Sequence, residues 1–210
     1  MNLSLNNQKI KKFICDYYSQ KFKEFGATNL GVDWNNKEGQ YARFELLLKY
    51  MKIESGTTVL DYGCGYGEMF TYIINKNSSV KYLGYDLVES YIKTTNLIHK
   101  DTQATFVSKL PEKLTWDYIV LSGVFNVKGK LNEDEWLKYV ISEIETLFPK
   151  ANKGLSFNML TAFNDINKRK DYLFYIDPFI LLSKLELFRP YSIILDHSYP
   201  MYEFTITILK

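Results

Sequence analysis

A glycine-rich segment, DYGCGYGE at residues 61–68, carries the residue types best suited to binding a ligand. It follows a short apolar, β-branched run that predicts a strand over 57–62, and it leads into a predicted helix over 67–75. Glycines between a strand and a helix let the backbone adopt positive φ and approach a ligand closely. In an open α/β sheet, such a turn lies at the carboxyl ends of the strands, where ligands bind.

A carboxylate, Asp86, closes the next predicted strand, which covers residues 80–85. An acidic side chain at that position can accept hydrogen bonds from both hydroxyls of a ribose, as it does in dinucleotide folds. The glycine turn and Asp86 together predict a ligand that contains a nucleoside.

The spacing of the glycines indicates which nucleoside. The dinucleotide fingerprint is G-x-G-x-x-G, whose backbone holds a pyrophosphate at a helix N-terminus. Here Gly63, Gly65 and Gly67 give G-x-G-x-G, and Glu68 occupies the position of the third fingerprint glycine. A carboxylate there would repel a pyrophosphate but suits a ligand with positive charge. A P-loop is excluded because no Gly-Lys-Ser/Thr follows.

Strands that alternate with helices must position this turn. The predicted helices cover residues 7–25, 39–52, 67–75, 88–99, 132–148 and 177–188. The predicted strands cover residues 57–62, 80–85, 104–107, 116–121, 155–160, 192–195 and 202–208. This alternation implies a mainly parallel sheet with helices on both faces. The last two strands are joined too tightly for a crossover helix, so the final strand is expected to be antiparallel.

The final strand alternates apolar and polar residues, and we expect it to have one less buried face. The whole is predicted to be a doubly wound α/β fold, one compact domain overall. Residues 1–55 form an N-terminal helical cap and residues 56–210 the core.

Composition restricts the classes of protein. The 210 residues include 26 basic and 24 acidic side chains, a net charge of +2, which argues against a domain that holds nucleic acid. Two cysteines, Cys15 and Cys64, are too few for a disulfide scaffold or a Cys-rich metal site, so no metal is expected. The chain has no apolar stretch of about 20 residues and no signal-peptide pattern at its start. We therefore expect a soluble, cytoplasmic protein without a membrane partner.

The acid-x-G-x-G-x-G segment, the acid after the second strand and the antiparallel last strand resemble the class I S-adenosylmethionine-dependent methyltransferases. The resemblance covers about residues 55–210. It implies a Rossmann-like seven-stranded sheet of order 3-2-1-4-5-7-6 and S-adenosyl-L-methionine as the cofactor.

In that family the glycine turn surrounds the methionine part of the cofactor, and the carboxylate after the second strand binds the ribose. The residue after that carboxylate packs on adenine, the segment after the third strand contacts the adenine edge, and the segment after the fourth strand holds the amino end. The resemblance thus implies that the methionine part is surrounded by Asp61, Gly63, Cys64, Gly65 and Gly67, and that the ribose is bound by Asp86. It implies that adenine packs on Leu87 and that its edge contacts Ser108, Lys109 and Leu110. It implies that the amino end of the cofactor is held by Ser122, Gly123 and Phe125. Many members have an acid after the third strand that binds the adenine amino group. This sequence has none, so backbone groups are expected to replace it.

A narrower resemblance, to a group of small bacterial methyltransferases, rests on residues 31–34, 121–127, 196–204 and Asn158, with Gln40 and Arg43. Gln40 and Arg43 lie three apart on one predicted helix face. Arg43 could therefore clamp the cofactor carboxylate bidentately.

Candidates for handling the methyl acceptor are fewer. His197 follows the sixth predicted strand on the ligand side of the sheet and could serve as a general base for a hydroxyl acceptor, whereas an amine acceptor would need only deprotonation. A structural histidine in a hairpin is the alternative. The loop from Thr161 to Tyr175 is long enough to be a substrate lid. Its basic run, residues 168–170, could contact an anionic substrate or simply face water.

These features predict methyl transfer to an oxygen or nitrogen of a small molecule, such as a sugar or another metabolite of surface-polysaccharide or natural-product synthesis. Nucleic-acid acceptors are disfavoured because the fourth predicted strand ends in SGVFN, not in the Asp/Asn-Pro-Pro-aromatic motif of base-amino methyltransferases. A non-catalytic cofactor- or partner-binding protein on the same scaffold is the alternative. A nicotinamide-dependent oxidoreductase is opposed by Glu68. The acceptor atom and the oligomeric state stay open.

Overall fold

The computed structural model describes residues 3–76, 79–185, 188 and 191–210. Its helices are α1 (Leu3–Phe25), α2 (Lys37–Leu48), α3 (Glu68–Ile74), α4 (Glu89–Ile98), α5 (Glu133–Leu147) and α6 (Pro178–Lys184). Its strands are β1 (Thr58–Tyr62), β2 (Lys81–Tyr85), β3 (Thr105–Val107), β4 (Trp116–Leu121), β5 (Ala151–Thr161), β6 (Tyr175–Ile176), β7 (Ser192–Asp196) and β8 (Glu203–Leu209). The predicted continuation of α6 to Phe188 includes residues 186 and 187, which lie outside the described residues.

The strands form one sheet of order β3-β2-β1-β4-β5-β8-β7, with β6 paired beside the end of β5. Strands β1 to β6 pair in parallel, and β8 runs antiparallel to both β5 and β7. Without the two-residue β6, this is the expected order 3-2-1-4-5-7-6, so the predicted Rossmann-like fold is confirmed. Strand β6 was not predicted, because two residues are too few to show a periodicity.

One prediction about β8 is wrong. Its polar residues Glu203, Thr205 and Thr207 are all buried, because β8 lies between β5 and β7 and is covered on both faces. Their polar groups are satisfied by neighbours: the hydroxyls of Thr207 and Ser156 lie 2.9 Å apart. Alternation of apolar and polar residues therefore marked buried hydrogen bonds here, not a face toward water.

Two apolar layers hold the helices against the sheet. In β4, Ile119 and Leu121 point into the layer covered by α5, whereas Tyr118 and Val120 point into the layer covered by α2 and α3. The apolar face of α5 is buried there, including Trp136 at 0% exposure. Helices on both faces leave the strand ends as the place where a ligand can enter.

The N-terminal helices are fastened across that edge. In α1, Lys11 pairs with Glu143 of α5 at 2.8 Å, and the same carboxylate accepts a hydrogen bond from Tyr62 at the end of β1. Helix α2 packs against α3, β5 and β8. These contacts place α1, α2 and the segment between them beside the glycine turn.

No helix in the described part of the chain has the length and apolar character needed to cross a membrane.

Candidate functional site

A first cavity lies at the carboxyl ends of β1, β2 and β4 and encloses about 820 Å³, part of it open to solvent. Three segments of the core line it: residues 61–65, 85–88 and 122–124. The helical cap contributes Ile14, Tyr18, Val32, Trp34, Gln40 and Phe44. The structure therefore brings the predicted glycine turn, Asp86 and the residues after β4 into one site.

All three glycines of the turn have positive φ, and two of them, Gly63 and Gly65, line the first cavity. Gly63 and Gly65 have φ of 85° and 54°, in the left-handed region. A Cβ at Gly65 would lie 2.6 Å from Val32, and one at Gly63 would lie 2.7 Å from Val124. The chain can thus bring the cap within contact of the turn only if no side chain intervenes.

The carboxylate of Asp86 is held at the edge of this cavity by backbone donors. The amide of Gly65 donates to one oxygen and the amide of Val88 to the other, each at 2.9 Å. Burial raises the pKa of Asp86 to about 6, while the two backbone hydrogen bonds oppose that rise. Each oxygen keeps a further lone pair, so the arrangement suits the ribose hydroxyls that the sequence predicted for it.

Asp61 and Ser122 line the first cavity, and each has a buried oxygen without a hydrogen-bond partner among the described residues. Asp61 is 2% exposed; one carboxylate oxygen accepts from the hydroxyl of Tyr82, and the other has no partner. The hydroxyl of Ser122 is likewise buried without a partner. Burial raises the pKa of Asp61 to about 7, with a further contribution from the charge of Asp86. Buried acceptors left unpaired are costly, and a cationic or hydroxylated ligand would satisfy them.

Of the other residues predicted to contact the cofactor, Cys64 and Leu87 line the first cavity, whereas Gly67 does not. Burial raises the pKa of the Cys64 thiol well above its usual value, which disfavours a thiolate nucleophile. Gly67, with φ of 80°, packs against Thr95 and His99 at the start of α3. Its role in the structure is to form the turn.

The segment after β3 does not reach the first cavity. Ser108 and Lys109 are exposed, and Lys109 and Leu110 line a separate shallow groove with residues 111–114. Strand β3 has only three residues and ends at Val107, so the chain turns away at this point. The structure does not place these residues around the adenine position.

Phe125 is also outside the cavity, contrary to the prediction. It is 0% exposed, its ring packs edge-on against Phe157, and its carbonyl accepts a hydrogen bond from the indole of Trp136 at 2.9 Å. It therefore belongs to the core beneath the site.

The two residues predicted on α2 have different positions. Gln40 is buried, lines the first cavity and accepts a hydrogen bond from the hydroxyl of Tyr66 at 2.8 Å. Arg43 lines a second cavity instead, where its Nε lies 2.9 Å from both carboxylate oxygens of Glu203. Its guanidinium also lies 4.0 Å from the ring centre of Trp34. The bidentate clamp expected of Arg43 is thus made to a carboxylate of the protein itself.

This second cavity encloses about 960 Å³, part of it open to solvent, and adjoins the first. Four residues line both: Tyr18, Val32, Trp34 and Gly123. The second cavity is further lined by Asp33, Asn35, Asn36, Gly39, Arg43, Asn126, Val127, Leu160, Lys170, Tyr172, Leu173, Met201 and Glu203. The sequence gives no sign of Asn35, Asn36, Gly39 and Leu160. The others fall at Arg43, in the segments of the narrower family resemblance (residues 31–34, 121–127 and 196–204) or in the predicted lid, Thr161 to Tyr175.

A hydrogen-bonded chain links the second cavity to the first. The amide nitrogen of Asn158 donates to Glu203 at 2.6 Å, and its oxygen accepts from the backbone of Gly123 at 2.8 Å. Gly123 has φ of 70°, and a Cβ there would lie 2.3 Å from Trp34. Gly123, at the boundary between the two cavities, is therefore held by the hydrogen bond from its backbone to Asn158 and by packing against Trp34.

His197 lines neither cavity. It is exposed, its Nε2 lies 2.9 Å from the hydroxyl of Thr161, and its ring stacks on Phe204. The structure does not bring this predicted base to the site.

The loop after β5 does reach the site. The backbone amide of Lys128 donates to Tyr172, and that of Phe174 donates to Asn126, which brings Tyr172 and Leu173 to the wall of the second cavity. In the basic run, Lys168 pairs with Asp165 at 2.9 Å and Arg169 bonds Asn164, whereas Lys170 lies at the cavity. A role for this loop as a substrate lid stays a prediction.

Comparison with known proteins identifies the scaffold. A family described as "Methyltransferase domain" matches residues 34–134. A protein of Mycobacterium tuberculosis that is named as a candidate methyltransferase, Rv1506c, is 32% identical over 154 residues, which cover 73% of this chain and 93% of that protein.

Solved structures share the fold. The magnesium protoporphyrin IX methyltransferase of Synechocystis PCC 6803 with bound S-adenosylmethionine has a TM-score of 0.63 at 13% identity, covering 95% of this chain and 96% of that one. The same enzyme with bound S-adenosylhomocysteine gives 0.67 at 13% identity, covering 95% and 99%. A DhpI–SAM–HEP complex gives 0.63 at 15% identity, covering 95% and 97%.

Three findings indicate a methyltransferase: the family match, the relative from Mycobacterium tuberculosis and the strand order. The first cavity fits such a protein, because its unpaired buried oxygens suit a ligand with positive charge and hydroxyl groups. The chain belongs to the class I S-adenosylmethionine-dependent methyltransferases, and S-adenosylmethionine is its cofactor.

Proposed function

We propose that the protein transfers the methyl group of S-adenosylmethionine to an oxygen or nitrogen of a small molecule bound in the second cavity. One observation carries this proposal: the second cavity shares a wall with the first, formed by Tyr18, Val32, Trp34 and Gly123. A molecule in the second cavity would face a cofactor in the first across this boundary. Two adjoining sites, one for the cofactor and one for the acceptor, are what a bimolecular methyl transfer requires.

The residues of the first cavity suggest how the cofactor would be held. Asp86 would accept from the ribose hydroxyls, and Leu87 would pack on adenine. The unpaired oxygen of Asp61 would accept from the ammonium of the methionine part, directly or through water. S-adenosylmethionine supplies an electrophilic methyl group on a positively charged sulfur.

The protein's contribution to the rate would be mainly positional. Holding an acceptor in near-attack geometry can contribute about 7–11 kcal/mol to lowering a barrier. The acceptor atom forms its bond to the methyl carbon as the carbon–sulfur bond breaks, and the acceptor's proton passes to water. The described cap and the wall residues Trp34 and Gly123 would fix the direction of approach.

A sugar or another metabolite of surface-polysaccharide or natural-product synthesis is the acceptor we favour. The second cavity is about as large as a small-molecule site and is walled by aromatic and amide side chains. Fold relatives whose names include magnesium protoporphyrin IX and pyocyanin biosynthesis act as precedents for small molecules on this scaffold.

Calorimetric titration with S-adenosylmethionine, S-adenosylhomocysteine and NAD tests the cofactor site. We expect the first two to bind and to bind about 10- to 100-fold more weakly to Asp86→Ala, because a hydrogen bond to a charged group contributes about 1.5–3 kcal/mol. Asp101→Ala, at an exposed turn residue, is the matched control and should bind normally.

Three outcomes would separate the alternatives. Binding of NAD alone would overturn the interpretation of the glycine spacing. If none of the three binds, a partner-binding protein on the same scaffold becomes the better hypothesis. Cofactor binding followed by label transfer from methyl-labelled cofactor to a member of a sugar and metabolite panel would establish the activity.

A further inference from the structure

We propose that the second cavity selects a neutral, hydroxyl-rich acceptor and that the side-chain amide of Asn126 orients it. This inference rests on the proposed function, because it names the acceptor class of the same site. It comes from the pairing of the charged groups around the cavity, from one buried amide without a partner, and from the aromatic walls.

Three charged side chains of the second cavity, Asp33, Arg43 and Glu203, are already neutralised within the protein. Asp33 pairs with Lys21 at 2.7 Å and accepts from the hydroxyl of Tyr17 at 2.7 Å. Arg43 and Glu203 form a bidentate ion pair, with side chains that are 11% and 2% exposed. An acceptor with its own charge would have to compete with these pairs for a partner.

The remaining charged residue in the cavity wall is Lys170, which is exposed to water. A solvated lysine contributes little to selecting an anion, since its charge is screened. Among the described residues of the wall, uncharged groups are therefore left to provide recognition.

Asn126 is the polar group best placed for that role. It is 6% exposed, lines the second cavity, and has a buried amide oxygen with no hydrogen-bond partner in the part of the chain that the structure describes. Its backbone is fixed, because its amide donates to Gly123 and its carbonyl accepts from Phe174 at 2.8 Å. An unpaired buried acceptor costs about 1–3 kcal/mol, which a bound ligand would recover.

The chemistry of an amide matches that of a hydroxyl. A side-chain amide offers one acceptor and two donor hydrogens, and a hydroxyl likewise both donates and accepts. An ammonium can only donate, and an ionised carboxylate can only accept. A ligand with neighbouring hydroxyls could engage both ends of the Asn126 amide at once.

The walls around this amide are aromatic. Tyr18, Trp34 and Tyr172 line the second cavity, and Trp34 is held in place by the guanidinium of Arg43 at 4.0 Å. Aromatic walls with a few oriented polar groups are typical of small-molecule sites. Asn126 follows Gly123 in a turn closed by their backbone hydrogen bond, so a hydroxyl that binds there lies next to the boundary with the cofactor cavity.

The test uses the full protein saturated with S-adenosylhomocysteine and follows probe binding by saturation-transfer NMR. The neutral probes are methyl α-glucoside and inositol; the charged probes of similar size are glucuronate, glucose 6-phosphate and glucosamine. The variants are Asn126→Leu, which keeps the side-chain volume, and Asn152→Leu, a control at an exposed asparagine of β5.

We expect the neutral probes to bind the native protein and the Asn152→Leu variant, and to bind Asn126→Leu at least about tenfold more weakly, as loss of about 1.4 kcal/mol predicts. S-adenosylhomocysteine affinity should be the same in all three, which shows that Asn126→Leu is folded. Binding of the charged probes alone, equal binding of neutral probes to Asn126→Leu, or no probe binding to the complex would each overturn the inference. Failure of S-adenosylhomocysteine itself to bind would instead overturn the proposed function.

Discussion

The two adjoining cavities differ in how their charges are arranged. In the first, Asp61 is buried and Asp86 is half-buried, neither has a cationic side chain among its hydrogen-bond partners in the described structure, and desolvation raises the pKa of both. In the second, Arg43 and Glu203 form a buried ion pair, and Asp33 pairs with Lys21. The first cavity thus keeps negative charge for a ligand, whereas the second has used its charges within the fold.

The two cavities therefore depend on different kinds of interaction. In the first, burial disfavours the charged form of the carboxyl groups, and a positively charged cofactor would stabilise it. In the second, ion pairs connect α2 to β8 and α1 to the segment that follows it, so the shape of this cavity depends on them. Substitutions in each cavity should therefore have separable effects on ligand binding and on stability.

The largest effect is expected for Glu203→Leu. Removing this carboxylate leaves Arg43 buried without its partner, which should destabilise the protein by about 3–5 kcal/mol. Urea unfolding followed by circular dichroism measures this change. The double variant Arg43→Leu/Glu203→Leu should recover most of the loss, since neither charge is then buried alone. A single variant as stable as the native protein would show that the second cavity does not depend on its ion pair.

A smaller loss is expected for Gly65→Ala in the first cavity. Positive φ and overlap with Val32 should together cost about 2–4 kcal/mol and should abolish measurable cofactor binding. Gly56→Ala is the matched control, because Gly56 has φ of 84° but nothing within 4 Å of the added Cβ; it should cost about 1 kcal/mol. Equal losses in both variants would mean that contact with the cap is unimportant.

These two variants also show what sequence could and could not provide. Gly65 and Asp86 were predictable because one βαβ unit contains them, and local spacing is enough to bring them together. Glu203 was predicted as part of an alternating strand and of the segment 196–204 in the narrower resemblance, and Arg43 as a cofactor ligand. Their pairing was missed because they lie 160 positions apart and carry no local sign that they pair. Ser108 and Lys109 were misplaced because the length of β3 decides where the chain turns.

The pH dependence of cofactor binding should distinguish the cavities further. Because the pKa values of Asp86 and Asp61 are about 6 and 7, both become charged as the pH rises from about 5 to 8. Affinity for S-adenosylmethionine should rise over this range by up to about tenfold per pH unit, measured by calorimetry. Asp61→Asn should flatten the upper part of the curve; an unchanged curve would contradict a role for Asp61.

Stability without ligand should change with the opposite sign. The folded carboxyl groups bind protons more tightly than the unfolded ones, so the free energy of unfolding should fall as the pH rises from about 4 to 7. Thermal melts across that range, with and without S-adenosylhomocysteine, would show the cofactor reducing this loss. A ligand-free protein that gains stability over the same range would contradict the raised pKa values.

The smallest effect is expected for His197→Ala. This side chain lies outside both cavities and bonds Thr161, so cofactor affinity should change less than about twofold and stability by about 0.5 kcal/mol. Methyl transfer to an identified acceptor should keep its pH profile. Loss of activity at unchanged stability and cofactor affinity would restore His197 as a base and extend the reaction site beyond the second cavity.

The segment between α1 and α2 has a consequence for the kinetics of the reaction. Val32 contacts Gly65 and Trp34 contacts Gly123, while Asp33 is tied to Tyr17 and Lys21. This segment would enclose a cofactor in the first cavity on one side. The residence time of the cofactor should therefore depend on how often the contacts of Asp33 with Tyr17 and Lys21 break. S-adenosylhomocysteine must leave before each new turnover. Removing the hydrogen bond between Tyr17 and Asp33, as in Tyr17→Phe, should shorten the residence time of both cofactor forms together.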